Sequence, residues 1–154
     1  MRYLIGTGTW HASDDAVGLR VAERVAELGL EQGFRAEAVA SGINLLSYLD
    51  AGTEEMLIVD CARMGLEPGG WKFFELDEVS SRKQLAGIST HEGDILKILQ
   101  LARETGHTIP TIRFLGIEPQ QTGPGPALSP ALEARLSEYA RAAADHFRKP
   151  GRPS

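Results

Sequence analysis

Met56-Leu57-Ile58-Val59-Asp60 is the stretch on which the fold turns. Four consecutive apolar residues bounded by polar ones are too few for a helix and read as a strand buried on both faces. The run stops at a carboxylate, so Asp60 is expected as the first residue after the strand. Toward the N-terminus, Asp50-Ala51-Gly52 closes a short helix over residues 42–49, and residues 34–39 form another strand. Gly33 ends a longer helix whose apolar face is Val17, Val21, Val25 and Leu28, spaced by three and four residues. Before that helix, residues 2–5 form a buried strand that stops at Gly6-Thr7-Gly8-Thr9. Ser13 or Asp14 is placed to cap the helix, because a short side-chain oxygen accepts from the open N–H groups of a first turn.

Toward the C-terminus the alternation continues. Pro68-Gly69-Gly70 is a turn before a strand over 71–76, and residues 77–87 are a polar, weakly patterned excursion expected to be mobile. His91 stands just before Ile95, Ile98, Leu99 and Ala102, a helical face closed by Gly106. Pro110 introduces a strand over 111–117, and residues 118–130, broken by glycine and proline, form a loop. Ser129-Pro130 opens a last helix, serine at the cap and proline at the first helical position. Leu132, Leu136, Tyr139 and Ala143 share one of its faces. This order predicts an α/β three-layer sandwich: a twisted, mostly parallel sheet of about five strands with helices on both faces. One domain over residues 1–148 is expected, with a disordered Pro/Gly tail over 149–154.

Composition narrows the function. The 154 residues suit one domain, and 42% hydrophobic with 24% charged content is ordinary for a soluble globular chain. A net charge of -5 argues against nucleic acid as a partner. No apolar run approaches the about 18 residues of a membrane span, and no signal peptide precedes the first strand. A single cysteine, Cys61, points to a reducing compartment, so a cytoplasmic, monomeric protein is expected.

In sheets of this kind, sites gather at the carboxyl ends of the strands. That rule brings together Asp60, the Asp14-Asp15 pair and His91. Each also has an ordinary structural use: Asp60 as a cap or buried ion-pair partner, Asp15 as an anion at a helix N-terminus, His91 as a core or surface histidine. Together they form a mixed nitrogen and oxygen set suited to a divalent transition metal, with positions left open for substrate. The glycine loop is not a dinucleotide fingerprint, since its third glycine position holds His11, and the Walker pattern is missing. Cys61 is expected to be a buried thiol rather than a nucleophile, His11 a bystander, and Trp10 and Trp71 packing residues, with contact to a partner as the alternative for Trp10.

Several segments then occur in one order: Gly6-Thr7-Gly8, Asp14-Asp15-Ala16-Val17-Gly18, Leu57-Ile58-Val59-Asp60, Ser89-Thr90-His91, and Phe114-Leu115-Gly116-Ile117-Glu118-Pro119. The set resembles the nickel–iron hydrogenase maturation proteases over roughly residues 1–147. Met64-Gly65-Leu66-Glu67-Pro68-Gly69 is most similar to the branch that processes the formate-hydrogenlyase hydrogenase. The resemblance implies an endopeptidase that removes the C-terminal extension of a hydrogenase large-subunit precursor after nickel insertion. It also implies that nickel comes with that substrate and is met by Asp15, Asp60 and His91. A substrate-contacting role is implied for Gly42, in the loop after the second strand. The chain departs from the family pattern at Thr9, Ala16 and Ala40-Ser41. Two other readings follow from the same residues: a non-catalytic checkpoint protein that binds the nickel-loaded subunit, and a metal-dependent small-molecule hydrolase.

Overall fold

Five strands make one sheet: β1 (Arg2–Thr7), β2 (Arg35–Val39), β3 (Glu55–Cys61), β4 (Trp71–Glu75) and β5 (Thr111–Ile117). Their order is β2-β1-β3-β5-β4. β1 pairs in parallel with β2 and β3, and β3 with β5, whereas β4 runs antiparallel to β5. Among the described residues, the helices are α1 (Val17–Glu27), α2 (Thr90–Glu104), α3 (Pro130–Glu133) and α4 (Leu136–His146). Two 3-10 helices, Asp14–Ala16 and Gly42–Tyr48, follow the carboxyl ends of β1 and β2. This computed structural model describes residues 1–75 and 90–148.

Every residue of β3 is buried, as its unbroken apolar run requires of a central parallel strand. The two-residue period divides its side chains between two cores. Leu57, Val59 and Cys61 join Val17, Val21 and Val25 of α1 and Leu136, Tyr139 and Ala143 of α4. Met56 and Ile58 join Ile95, Leu99 and Ala102 of α2 and Leu45 and Leu49 of the second 3-10 helix. The predicted three layers and mostly parallel sheet are therefore those observed.

Five local expectations are corrected. The strand does not stop before Asp60: Asp60 and Cys61 continue the ladder opposite Gly116 and Ile117 of β5. Neither Ser13 nor Asp14 caps a helix with its side chain, because the Asp14 carboxylate turns away to amides of the loop after β5. Leu28 lies beyond the last turn of α1 and is exposed. The last helix is broken between α3 and α4, and at the break Arg135 reaches the Gly69 carbonyl at 2.7 Å. Ser129 precedes α3 with Pro130 in its first turn, but its hydroxyl donates to Asp14 instead of capping. Leu76, the 77–87 excursion and the 149–154 tail lie outside the described residues.

The topology fixes where a site must be. The carboxyl ends of β1, β3 and β5 share one edge of the sheet. α2 joins β5 through the short connection 105–110, so it runs back along the sheet. Its 15 residues rise about 22 Å and the seven residues of β5 about 23 Å, so the first turn of α2 returns to the carboxyl edge.

Candidate active site

Three glycines let α1 approach the sheet closely. A side chain on Gly18 would strike the carbonyl oxygens of Val59 and Thr7, and one on Gly6 would strike the carbonyl of Gly18. At Gly8, with φ of 148°, it would strike the carbonyl of Asp15. The Thr9 amide donates to that same carbonyl at 3.1 Å. Asp15 is thereby held by its backbone against the end of β1 and beside β3.

Asp60 is 2% exposed, and its Oδ1 accepts from the Cys61 amide at 2.8 Å. Period-2 alternation puts Asp60 on the same side as Met56 and Ile58, the side covered by α2. Cys61 points to the other side, into the core shared with α1 and toward the 3-10 helix that carries Asp15. Burial pushes the Cys61 thiol far above its ordinary pKa, and the charges of Asp60 and Asp15 raise it further. Held protonated in this way, the thiol is a poor nucleophile near neutral pH. The expectation of a buried, unreactive cysteine holds.

The structure therefore brings two of the candidate residues to one carboxyl edge, Asp15 in the 3-10 helix that packs beside the end of β3 and Asp60 next to last in that strand. His91 lies in the first turn of α2, whose start the topology places at that edge; its side chain is outside the described residues. Gly42 opens the 3-10 helix after β2, at the same edge. Among the described residues, no group of three or more His, Cys, Asp and Glu side chains is set to hold a metal ion. The donors that are described near the edge, two carboxylates, suit a hard or borderline divalent cation.

Beside Asp15 lies a cleft of about 210 Å³ lined by Trp10, His11, Ala16, Arg20, Pro126 and Leu128. Trp10 is 40% exposed. His11 and Ser13 hold left-handed backbone conformations, φ 60° and 55°, in the loop that forms one wall. That loop is sewn to the opposite wall by Ser13 N to Gly125 O at 3.1 Å and Gly125 N to His11 O at 3.0 Å. The Arg20 guanidinium is drawn between Glu23 and Glu133 at 3.7 and 3.5 Å. Trp71 packs on the α4 side, its indole N–H on Glu138 at 2.8 Å.

Residues 34–146 match the model of a family described as hydrogenase maturation protease. The chain belongs to that family. No curated protein sequence matches it. Among solved structures it resembles the hydrogenase maturating endopeptidase HybD of Escherichia coli, at 21% identity and a TM-score of 0.76, over 97% of this chain and 93% of that one. It also resembles the [NiFe] hydrogenase maturation protease HybD of Thermococcus kodakarensis, at 23% identity and 0.78, over 96% and 99%. A hydrogenase 3 maturation protease follows at 22% identity and 0.69, over 92% and 87%. These likenesses carry the fold, and the family match makes the protein a hydrogenase maturation peptidase. Among its described residues, no helix is long and apolar enough to cross a membrane.

In this protease, two further acids at the edge are buried and have partners the sequence does not show. Asp14, a candidate both as a cap and as a companion of Asp15, binds with its carboxylate amides about a hundred residues away. Glu118 belongs to the motif over residues 114–119, and nothing in the sequence assigns its side chain a partner. It stands directly after an apolar strand, which is the signal that singled out Asp60, and it accepts from the amides of Met64 and Leu66.

Proposed function

We propose that this protease removes the C-terminal extension of a nickel–iron hydrogenase large-subunit precursor once nickel has been inserted, and that Asp15, Asp60 and His91 meet the inserted metal. The observation that carries the reading is geometric: the backbone of Asp15 is fastened at the end of β1 and packs beside the end of β3, where Asp60 is next to last, at the edge to which α2 returns the backbone of His91. Nickel here belongs to the substrate, already held by precursor thiolates. A divalent metal in that position supplies Lewis acidity for a scissile carbonyl or a water. The protein's part is orientation: two carboxylates and an imidazole fix the metal, and with it the adjoining chain, so that one peptide bond is presented. Precursor without nickel lacks the bridging charge and is passed over. The precursor chain beside the scissile bond lies along the Trp10 cleft, which is smaller than a drug-sized pocket of roughly 300 Å³ and suits a side chain. Gly42 touches the same substrate from the loop after β2.

We assign the protease to the formate-hydrogenlyase branch on the segment Met64-Gly65-Leu66-Glu67-Pro68-Gly69, and place its work in the cytoplasm as a monomer. The test is cleavage of purified nickel-loaded precursor. Asp60→Ala and His91→Ala should each lower the rate by on the order of 100-fold or more, the scale of a misplaced reacting group. Wild type should leave nickel-free precursor intact. Either variant processing precursor at the normal rate overturns the assignment.

A further inference from the structure

We propose that Asp14 and Glu118 are positioning residues that fasten the segment 118–129 across the site as a strap and so set the placement of Asp15 relative to Asp60. The proposal rests on the assignment of those two aspartates above. Asp14 is 0% exposed, and its carboxylate is bonded by residues of the segment 118–129. Its Oδ2 accepts from the amides of Gln120 and Gln121 at 2.8 and 2.9 Å and from the Ser129 hydroxyl at 2.8 Å. Its Oδ1 accepts from the Ser129 amide at 2.7 Å. The Asp14 amide donates in return to the Gln121 carbonyl at 3.1 Å. Both ends of the strap are thus tied to the residue next to Asp15.

Glu118 ties the same segment to the chain that follows Asp60. It is 6% exposed, and its Oε1 accepts from the amides of Met64 at 2.6 Å and Leu66 at 3.1 Å. Its backbone exchanges bonds with the turn beyond: Glu118 N to Gly70 O at 2.8 Å and Gly69 N to Glu118 O at 2.9 Å. A third link, Arg63 Nη2 to the Thr122 hydroxyl at 3.1 Å, spans the same gap near its middle. The loop bearing Asp15 and the loop leaving Asp60 therefore share one partner, clamped at one side by each buried acid.

The chemistry demands carboxylates. Four donors converge on Asp14, and an ionised carboxylate accepts on both oxygens, whereas an amide of the same shape presents N–H to donors on one side. Burial of such an anion is tolerated only because the amides replace water. The clamps lie outside the sheet, in which Gly6 pairs opposite Val59, so losing one should leave the fold in place while the two loops come apart.

The test compares Asp14→Asn and Glu118→Gln with Glu55→Ala, a destabilising change at the amino edge of the sheet. On nickel-loaded precursor, each clamp variant should lose kcat by about 10- to 100-fold, the range for partners that orient a ligand, with KM changed less than about twofold. Glu55→Ala should keep kcat at temperatures where it is folded. In the protease alone, the carboxyl 13C signals of Asp15 and Asp60 should shift in Asp14→Asn and Glu118→Gln but stay in place in Glu55→Ala. Unmoved signals in both clamp variants, or equal loss of kcat in all three variants, overturns the strap. Should wild type cleave no precursor, the functional assignment fails, and the 13C shifts still decide whether the clamps position the two aspartates.

Discussion

Cys61 shows how neighbours decide what a residue can do. A lone cysteine in a peptidase invites a nucleophilic reading, yet this thiol is buried and lies in the field of two acids, Asp60 and Asp15. Everything around it favours the protonated form, the reverse of the cationic setting that activates a thiol. Cys61→Ala should therefore retain precursor cleavage, losing no more than about tenfold, the low end for a partner that only steadies a ligand. Loss of all activity in a folded Cys61→Ala protein would revive the nucleophile. Which parts of the site could be read in advance follows from the same local logic. Asp60 was legible because a charge ends an apolar run, and Asp15 because it opens a helical pattern after a glycine loop. The task of Asp14 was not, because three of its four donors are main-chain amides and all lie 106 to 115 positions away. Backbone donors leave no residue-type signature.

At the scale of elements, the site depends on how closely α1 sits on the sheet. Its contact with β1 and β3 is made through Gly18, whose missing side chain admits the carbonyls of Val59 and Thr7. Those obstacles are backbone atoms of central strands and cannot swing aside. Gly18→Ala should push the start of α1 outward, cost about 1–3 kcal/mol of stability as overpacking does, and carry Asp15 away from Cys61. Thermal unfolding and cleavage should fall together; a stable, fully active Gly18→Ala protease would show that the close approach has no role in placing Asp15. The elements themselves were legible wherever one period dominated. All five strands were visible from apolar runs and their glycine or proline boundaries, and the α1, α2 and α4 faces from their three- and four-residue spacing. What escaped were ends and breaks. The ladder partner that extends β3 through Cys61 is β5, and the interruption between α3 and α4 accompanies the reach of Arg135 to Gly69. Both are tertiary contacts, which a periodic pattern does not encode.

Across the whole molecule, the two edges of the sheet are specialised. The carboxyl edge holds strained and acidic groups that do not serve packing. The amino edge holds a buried fastening: His146 at the end of α4 bonds Glu55 at the start of β3 at 2.8 Å, and Arg2 approaches the same carboxylate at 3.6 Å. Arg2 also donates to the Phe147 carbonyl at 3.0 Å, and Phe147 stacks on Phe34 with ring centroids 4.4 Å apart. This cluster ties the last helix to β1 and β3 and stands five strand residues, about 16 Å, from Asp60. Breaking a buried pair by removing one member costs about 3–5 kcal/mol. For a chain of this length, each kcal/mol lowers Tm by roughly 2–4 °C. Glu55→Ala should therefore melt roughly 6–20 °C earlier, while its kcat on nickel-loaded precursor, measured well below that temperature, stays at the wild-type value. The separation of the two edges requires this result. If the folded variant instead loses turnover in step with its Tm, the amino edge transmits strain through the sheet to Asp15 and Asp60, and stability and chemistry are one property of this fold.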